Sequence, residues 1–310
     1  MSGFATETPE ALLERLRKGG KVVLAQALAR LEAAPDDLAT VALLDAAFEA
    51  PYGQVIGLTG PPGVGKSTLI GALITAYREV GKTIGVIAID PSSRRSGGAL
   101  LGDRTRLRTD PDDSGIFVRS MAARDQLGGL AEITYAAMVV MRAVFDIVLV
   151  ETVGVGQSET DVAMAADTVV FCVQPGSGDS LQFMKAGIVE IPDIVVVTKG
   201  DMGKAATRAK TDVRGALSLN LRDPDDWPVD VLTVAATSAT GIDELIAASA
   251  AHFAWLNTDG RLGTRRHQQA EAWLKQAIKE RYGREGLKRL GVLSLAPGTS
   301  PFGKLAPEER

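Results

Sequence analysis

Cysteine and histidine are nearly absent from this chain of 310 residues, which has one cysteine, Cys172, and two histidines, His252 and His267. A single cysteine cannot form an internal disulfide or a Cys-x-x-Cys pair. With so few sulfur and nitrogen ligands, a structural zinc site is not expected. Cys172 lies in an apolar run, residues 168–173, that is typical of a buried strand. We therefore expect its thiol to be part of the core.

An excess of positive charge is also lacking, since 34 basic residues stand against 38 acidic ones and the net charge is −4. This balance gives no general attraction to nucleic acid or to an acidic membrane. No apolar run approaches the ~18 residues that a membrane span needs. The first residues have neither the basic nor the apolar region of a signal peptide. We therefore expect a cytoplasmic protein without nucleic-acid or membrane partners.

The hydrophobic pattern divides the chain into three regions, residues 1–50, 51–256 and 257–310. The first has helical periodicity, with Thr8 and Pro9 suited to a helix start, and the break at Pro35 predicts two helices. The second alternates short apolar runs with helical patterns, which predicts an α/β fold with a mostly parallel, doubly wound sheet. Its predicted strands are residues 55–59, 83–89, 116–118, 147–150, 169–173, 194–197 and 231–234.

The third region has an apolar stripe at helical spacing. The stripe consists of Ala270, Trp273, Leu274, Ala277 and Ile278. Such a helix either folds back on the core or packs against a second copy of the chain. Because the stripe lies outside the core pattern, we expect a second subunit to cover it in a two-fold dimer. The tail from Pro297 is expected to be loose.

The most informative segment lies between the first predicted strand and a helical pattern. It satisfies G-x-x-x-x-G-K-[ST], which in this context predicts a phosphate-binding loop. Glycines allow consecutive backbone N–H groups to face one anion, and the helix N-terminus adds its positive end. The lysine would reach the β- and γ-phosphates of a nucleoside triphosphate, and the serine would ligate Mg²⁺. The residues are Gly60, Pro61, Pro62, Gly63, Val64, Gly65, Lys66, Ser67 and Thr68.

The nucleotide base is predicted to meet two other strand ends. Lys199 and Asp201 form a Lys-x-Asp pair directly after an apolar strand, where ligands bind in open α/β sheets. The Asp201 carboxylate can accept two hydrogen bonds from guanine, whereas adenine has no such pair of donors. Ser238 and Ala239 follow the next strand, and a backbone N–H there would bond guanine O6. The usual asparagine of this box is Thr198 here, a change that we expect to loosen the pocket. GTP is favoured over ATP.

Acidic residues follow two further strands. Asp90 and Glu151 each end an apolar run, and carboxylates at such positions hold Mg²⁺ directly or through water. Gly154, three residues after Glu151, would allow its N–H to meet a γ-phosphate, while the length of Glu151 suits an attacking water as well as the metal. Asp103 lies in a loop whose geometry the sequence does not determine. The alternative for these acids, and for the arginines of residues 94–108, is a solvated surface.

Three strings of residues resemble one known family, and the resemblance spans about residues 10–285. The strings begin at Asp90, Glu151 and Gln174, and the second reads Glu-Thr-Val-Gly-Val-Gly-Gln-Ser-Glu. They are similar to two switch segments and a nucleotide-sensing element of the MeaB/ArgK/MMAA group of G proteins, chaperones of B12-dependent methylmalonyl-CoA mutase.

The resemblance implies a homodimeric P-loop GTPase with an N-terminal helical extension and a C-terminal helical dimerisation arm. It implies that GTP hydrolysis gates delivery of adenosylcobalamin to the mutase and release of damaged cofactor. Lys66 and Ser67 would hold phosphate and metal, and Lys199 and Asp201 would recognise guanine. Asp90, Asp103 and Glu151 would serve Mg²⁺ and hydrolysis. Asp179 and Lys185 would belong to a segment that changes with the partner's state.

Two other functions remain open at this point. A P-loop kinase would need a pocket for an acceptor group with a base beside it, and no such constellation stands out. A nickel-insertion GTPase of hydrogenase or urease maturation shares the same domain plan. Such proteins usually carry His-rich tracts or Cys/His clusters, which two scattered histidines and one cysteine do not provide.

Overall fold

Seven parallel strands form the centre of the molecule. In this computed structural model, residues 7–91, 107, 109–123, 132–152, 161–176, 190–219, 223, 225–290 and 294–305 are described. The sheet order is β3-β2-β4-β1-β5-β6-β7, and every neighbouring pair is parallel. The strands are β1 Gln54–Thr59, β2 Ile84–Pro91, β3 Ile116–Ala123, β4 Ile147–Glu151, β5 Thr168–Val173, β6 Ile194–Val197 and β7 Asp230–Thr233. The α/β fold and all seven predicted strands are confirmed.

Helices cover both faces of this sheet, as continuous apolar strands require. They are α1 Pro9–Lys18, α2 Gly20–Ala33, α3 Leu38–Glu49, α4 Lys66–Glu79, α5 Glu132–Arg142, α6 Lys204–Leu217, α7 Ile242–Leu256 and α8 Arg261–Leu290. Helix α8 is interrupted at Gly283, where φ is 64°. None of the helices in these described ranges is long and apolar enough to cross a bilayer.

Different helices pack on the two faces of the sheet. On one face, Val55, Val148 and Val150 share a hydrophobic cluster with α1, α2, α3, α5 and α8. On the other face, Ile56 and Leu58 pack with α4 and α7. The segments before residue 51 and after residue 256 therefore join the same apolar core as one face of the sheet.

The N-terminal region forms three helices where two were predicted. Thr8 begins α1, as expected, because its hydroxyl oxygen accepts a hydrogen bond from the Ala11 N–H at 3.3 Å. The chain then breaks at Gly19 and Gly20, where Gly20 has a φ of 71° that favours glycine. The prediction of one continuous helix up to Pro35 is wrong, since a glycine pair separates two leucine-rich stripes.

The stripe on α8 is buried within the same chain. Its five residues are at most 5% exposed. The Trp273 ring stacks on Tyr135 at a centroid distance of 5.1 Å, and its indole N–H donates to the Glu132 carbonyl at 3.2 Å. The prediction that a second subunit covers this stripe is wrong, because α5 and the core already cover it.

The expectation of a loose tail from Pro297 is also wrong up to residue 305. Phe302 and Leu305 are buried, and the Phe302 ring contacts Trp273 edge-on at 4.8 Å between centroids. The Ser300 hydroxyl donates to Asp45 on α3. The tail thus completes the cluster that α3, α5 and α8 begin.

Candidate nucleotide-binding site

The phosphate-loop sequence connects the end of β1 to the start of α4. Three glycines of this loop have positive φ, at 136° for Gly60, 74° for Gly63 and 101° for Gly65. A Cβ atom on Gly60 would lie 2.2 Å from the Cys172 carbonyl oxygen on β5, so only glycine fits there. Gly65 is the N-cap of α4, and it offers no side chain to the helix start. The first N–H groups of a helix have no partner within the helix, which is why anions such as phosphate bind at helix starts.

Lys66 is buried at the start of α4. Its ammonium group donates hydrogen bonds to the carbonyls of Gly60 at 2.8 Å and Pro61 at 3.1 Å. These contacts hold the positive charge of Lys66 inside the loop. The N-terminus of α4 lies at the same place, and its helix dipole attracts negative charge as well. Phosphate binding by Lys66 stays a prediction, and the buried position at the start of α4 is the one that this role requires.

Ser67 and Glu151 meet across the sheet edge. Glu151 is the last residue of β4 and pairs in register with Leu58 on β1 and Ala88 on β2. The Ser67 hydroxyl donates to Glu151 Oε1 at 2.8 Å, and Glu151 is only 7% exposed. Hydroxyl and carboxylate oxygens are ligands that Mg²⁺ accepts. The pair thus fits the metal part of a nucleotide site.

The other acidic candidates are described only in part. The backbone places Asp90 on β2, two residues beyond Ala88, which is level with Glu151. Asp103, Gly154, Asp179 and Lys185 lie outside the described residues. The described ranges contain no group of three or more His, Cys, Asp or Glu residues able to hold a metal ion.

The two segments predicted to recognise the base adjoin each other. Lys199 and Asp201 follow β6, and the turn at Ser238 and Ala239 follows the neighbouring β7. The Gly200 N–H donates to the Val234 carbonyl at 3.0 Å, which joins the two segments. Lys199 adopts a left-handed conformation with φ of 53°, as does Ala239 with φ of 55°. Lys199 Nζ also donates to the Gly63 carbonyl at 3.3 Å, so the base and phosphate segments are linked.

Thr198 connects these segments more firmly than its sequence suggests. Its buried hydroxyl lies 2.7 Å from the Val64 carbonyl of the phosphate loop and 3.0 Å from the Val173 carbonyl at the end of β5. Its single proton is shared between these acceptors. The expectation that threonine loosens the pocket stays a prediction, and the structure adds that the hydroxyl ties the phosphate loop to the sheet.

Two further contributors escaped the sequence analysis. The Thr152 hydroxyl donates to the Thr59 hydroxyl at 3.0 Å, which fastens the ends of β4 and β1 beside the phosphate loop. Gln174, after β5, accepts a hydrogen bond from Lys199 Nζ. The sequence could have indicated Thr152 and Gln174 by their positions, because residues directly after buried parallel strands lie together at one edge of the sheet.

Cys172 lies behind the phosphate loop and is fully buried. Burial raises the pKa of its thiol to about 12. The prediction of a core thiol is confirmed, and a thiol with such a pKa stays protonated and unreactive near neutral pH.

Comparison with known proteins adds family relationships to this geometry. The sequence profile described as "Methylmalonyl Co-A mutase-associated GTPase MeaB" matches residues 24–287. The GTPase ArgK of Escherichia coli is 38% identical over 276 residues, which cover 86% of this chain and 83% of ArgK. The mouse protein named "Methylmalonic aciduria type A homolog, mitochondrial" is 39% identical over 228 residues, covering 73% of this chain and 55% of that protein.

A solved structure agrees with these relationships. The crystal structure titled "LAO/AO transport system kinase" superposes with a TM-score of 0.71 and 30% sequence identity. The superposition covers 91% of this chain and 88% of that one. The sheet and its helices are therefore shared over nearly the whole chain.

Proposed function

The chain belongs to the MeaB family of methylmalonyl-CoA mutase-associated GTPases, and from that membership we propose that its GTP hydrolysis gates the loading, protection and repair of adenosylcobalamin in a B12-dependent acyl-CoA mutase. Methylmalonyl-CoA mutase is the proposed client. The observation that carries this proposal is the family match over residues 24–287, which includes all the described site residues. GTPase activity itself follows from the family.

The described residues are proposed to have different roles in hydrolysis. Lys66 balances charge on the phosphates in the ground state and in the transition state alike. Glu151, buried beside Ser67, is proposed to orient the attacking water or a metal ligand. When bound, Mg²⁺ would be held by Ser67 and Glu151 and would neutralise charge that develops on the phosphates. Asp90, Asp103 and Gly154 are proposed to serve the same end of the nucleotide.

Guanine recognition is proposed for Lys199 and Asp201, with Ser238 and Ala239 on the opposite side of the base. Asp201 is exposed on the segment that Gly200 joins to β7, so its carboxylate is accessible to a ligand. Lys185 is proposed to respond to the client. A homodimer belongs to the same proposal, with an interface other than the α8 stripe. No observation on the described residues favours metal insertion or kinase activity.

A single-turnover GTP hydrolysis assay, with and without purified methylmalonyl-CoA mutase, tests the proposal. We expect slow basal hydrolysis, of order ~10⁻⁴ to 10⁻² s⁻¹, and an acceleration of about tenfold or more when the mutase is present. Glu151→Gln should slow both reactions while sparing GDP binding. Glu79→Gln, the same change at an exposed site on α4, is the matched control.

The outcomes test the mutase as the client and Glu151 as a catalytic residue independently of each other. An unchanged rate with the mutase would refute the chaperone proposal and leave the GTPase assignment intact. A Glu151→Gln protein that hydrolyses GTP at the wild-type rate would refute the catalytic role of Glu151.

A further inference from the structure

The C-terminal helix α8 holds a turn that lies between β4 and β5 in the chain. The chain leaves the sheet after Glu151 and re-enters it at β5, and the described residues of this connection are Thr152 and residues 161–167. Val162 in this turn is fully buried against β1. A Cβ atom on Gly57 would lie 2.3 Å from Val162 Cγ2, so the missing side chain at Gly57 makes room for the turn three residues before Gly60.

One buried side chain on α8 binds the carbonyls of this turn. The Gln269 amide nitrogen donates to the Ala163 carbonyl at 2.9 Å and to the Ala166 carbonyl at 2.8 Å. Gln269 is 5% exposed. Both protons of one amide are thus used on two carbonyls that are three chain positions apart across the turn.

The end of the turn is fastened by a second residue of α8. Arg266 forms a two-point pair with Asp167, at 2.8 Å and 2.7 Å, and Asp167 is fully buried. Asp167 in turn accepts a hydrogen bond from the Val55 N–H at 2.8 Å, at the start of β1. This pair fixes where the turn ends, and Gln269 fixes its path between Asp161 and that end.

We propose that Gln269 is a positioning residue for GTP hydrolysis, which acts by holding the turn 161–167 against β1. The turn begins ten residues after Glu151 and packs on the strand that leads directly into the phosphate loop. Without the amide, two carbonyls facing α8 lose their donors and the turn shifts. The placement of Glu151 and of the loop that follows β1 then becomes less precise, and small displacements of reacting groups are costly to the rate. Nucleotide binding changes little, because Thr198 and Gly200 hold the phosphate and base segments independently.

The test compares Gln269→Ala and Gln269→Met with the matched control Gln268→Ala. Methionine keeps the buried volume of Gln269 but cannot donate, whereas Gln268 is an exposed neighbour on the same helix. Single-turnover GTP hydrolysis should slow about tenfold in both Gln269 variants. GDP affinity, measured by calorimetry, should stay within about twofold of wild type. The Gln268 variant should match wild type in both measurements. An unfolded fraction lowers the amplitude of a single-turnover reaction and leaves its rate constant unchanged, so loss of folding is recognised separately.

Three results would overturn the proposal. A wild-type rate constant in Gln269→Met would show that Gln269 serves packing alone. An equal loss in Gln268→Ala would show that the effect is general to the helix. A loss of GDP affinity as large as the loss of rate would assign Gln269 to the integrity of the whole nucleotide site.

Discussion

At residue 198, a threonine hydroxyl with one proton holds two backbone carbonyls, on the phosphate loop and at the end of β5. We predict that Thr198→Val weakens GDP binding about fivefold to tenfold, because a buried hydrogen bond is worth about 1 kcal/mol and valine keeps the shape. Calorimetry with GDP measures the change. Thr207→Val removes an exposed hydroxyl on α6 and should leave affinity unchanged. Wild-type affinity in Thr198→Val would contradict the role of this tie.

His252 makes folding stability depend on pH. Burial lowers its pKa to about 4, although nearby Asp193 acts in the opposite direction. Between pH 6.5 and 4 the unfolded chain therefore binds a proton that the folded chain does not, and stability falls as the pH falls through this window. From pH 7.5 to 5.5 the loss from this group is roughly 1 kcal/mol.

Urea unfolding at the two pH values measures this loss. His252→Gln should reduce the difference between them, whereas His267→Gln, at a partly exposed site, should retain it. Equal pH dependence in the wild type and His252→Gln would contradict the assignment.

On the scale of elements, the docking of α8 on the core has a measurable energetic consequence. Leu274 is 1% exposed within the stripe, whereas Leu38 at the start of α3 is 77% exposed. We predict that Leu274→Ala lowers the free energy of unfolding by about 2–5 kcal/mol, while Leu38→Ala changes it by less than about 0.5 kcal/mol. Urea denaturation compares the two variants. Similar losses in both would show that the stripe is not part of the core in solution.

The central strands were predictable because buried parallel strands are continuous apolar runs, such as β6, with both faces covered. The phosphate loop was predictable for another reason, since its chemistry is encoded in consecutive residues. The proximity of Ser67 and Glu151 was predictable from the rule that the carboxyl ends of parallel strands meet at one edge of the sheet. The break at Gly20 was missed, although the glycine pair was its signal.

On the scale of the whole molecule, the stripe on α8 was misassigned because its partners are far away in sequence. Trp273 meets Tyr135 and Phe302, and no local periodicity reveals such pairings. The same limit applies to Gln269, whose acceptors lie more than a hundred residues earlier. Its place directly before Ala270, beside the apolar stripe, was a local sign. The division at residues 50 and 256 stays a prediction, although the outer segments share one cluster with the sheet.

The shared cluster of α3, α5, α8 and residues 302–305 has a consequence for synthesis on the ribosome. The leucines of α1, α2 and α3 emerge first, while Phe302 and Leu305, which close the same cluster, emerge about 250 residues later. At about 5–20 residues per second, that interval is roughly 15–50 s. During this time the growing chain exposes an apolar surface that residues 302–305 will later bury. A stop codon shortly before residue 302 would leave that part of the cluster exposed and the truncated polypeptide prone to association.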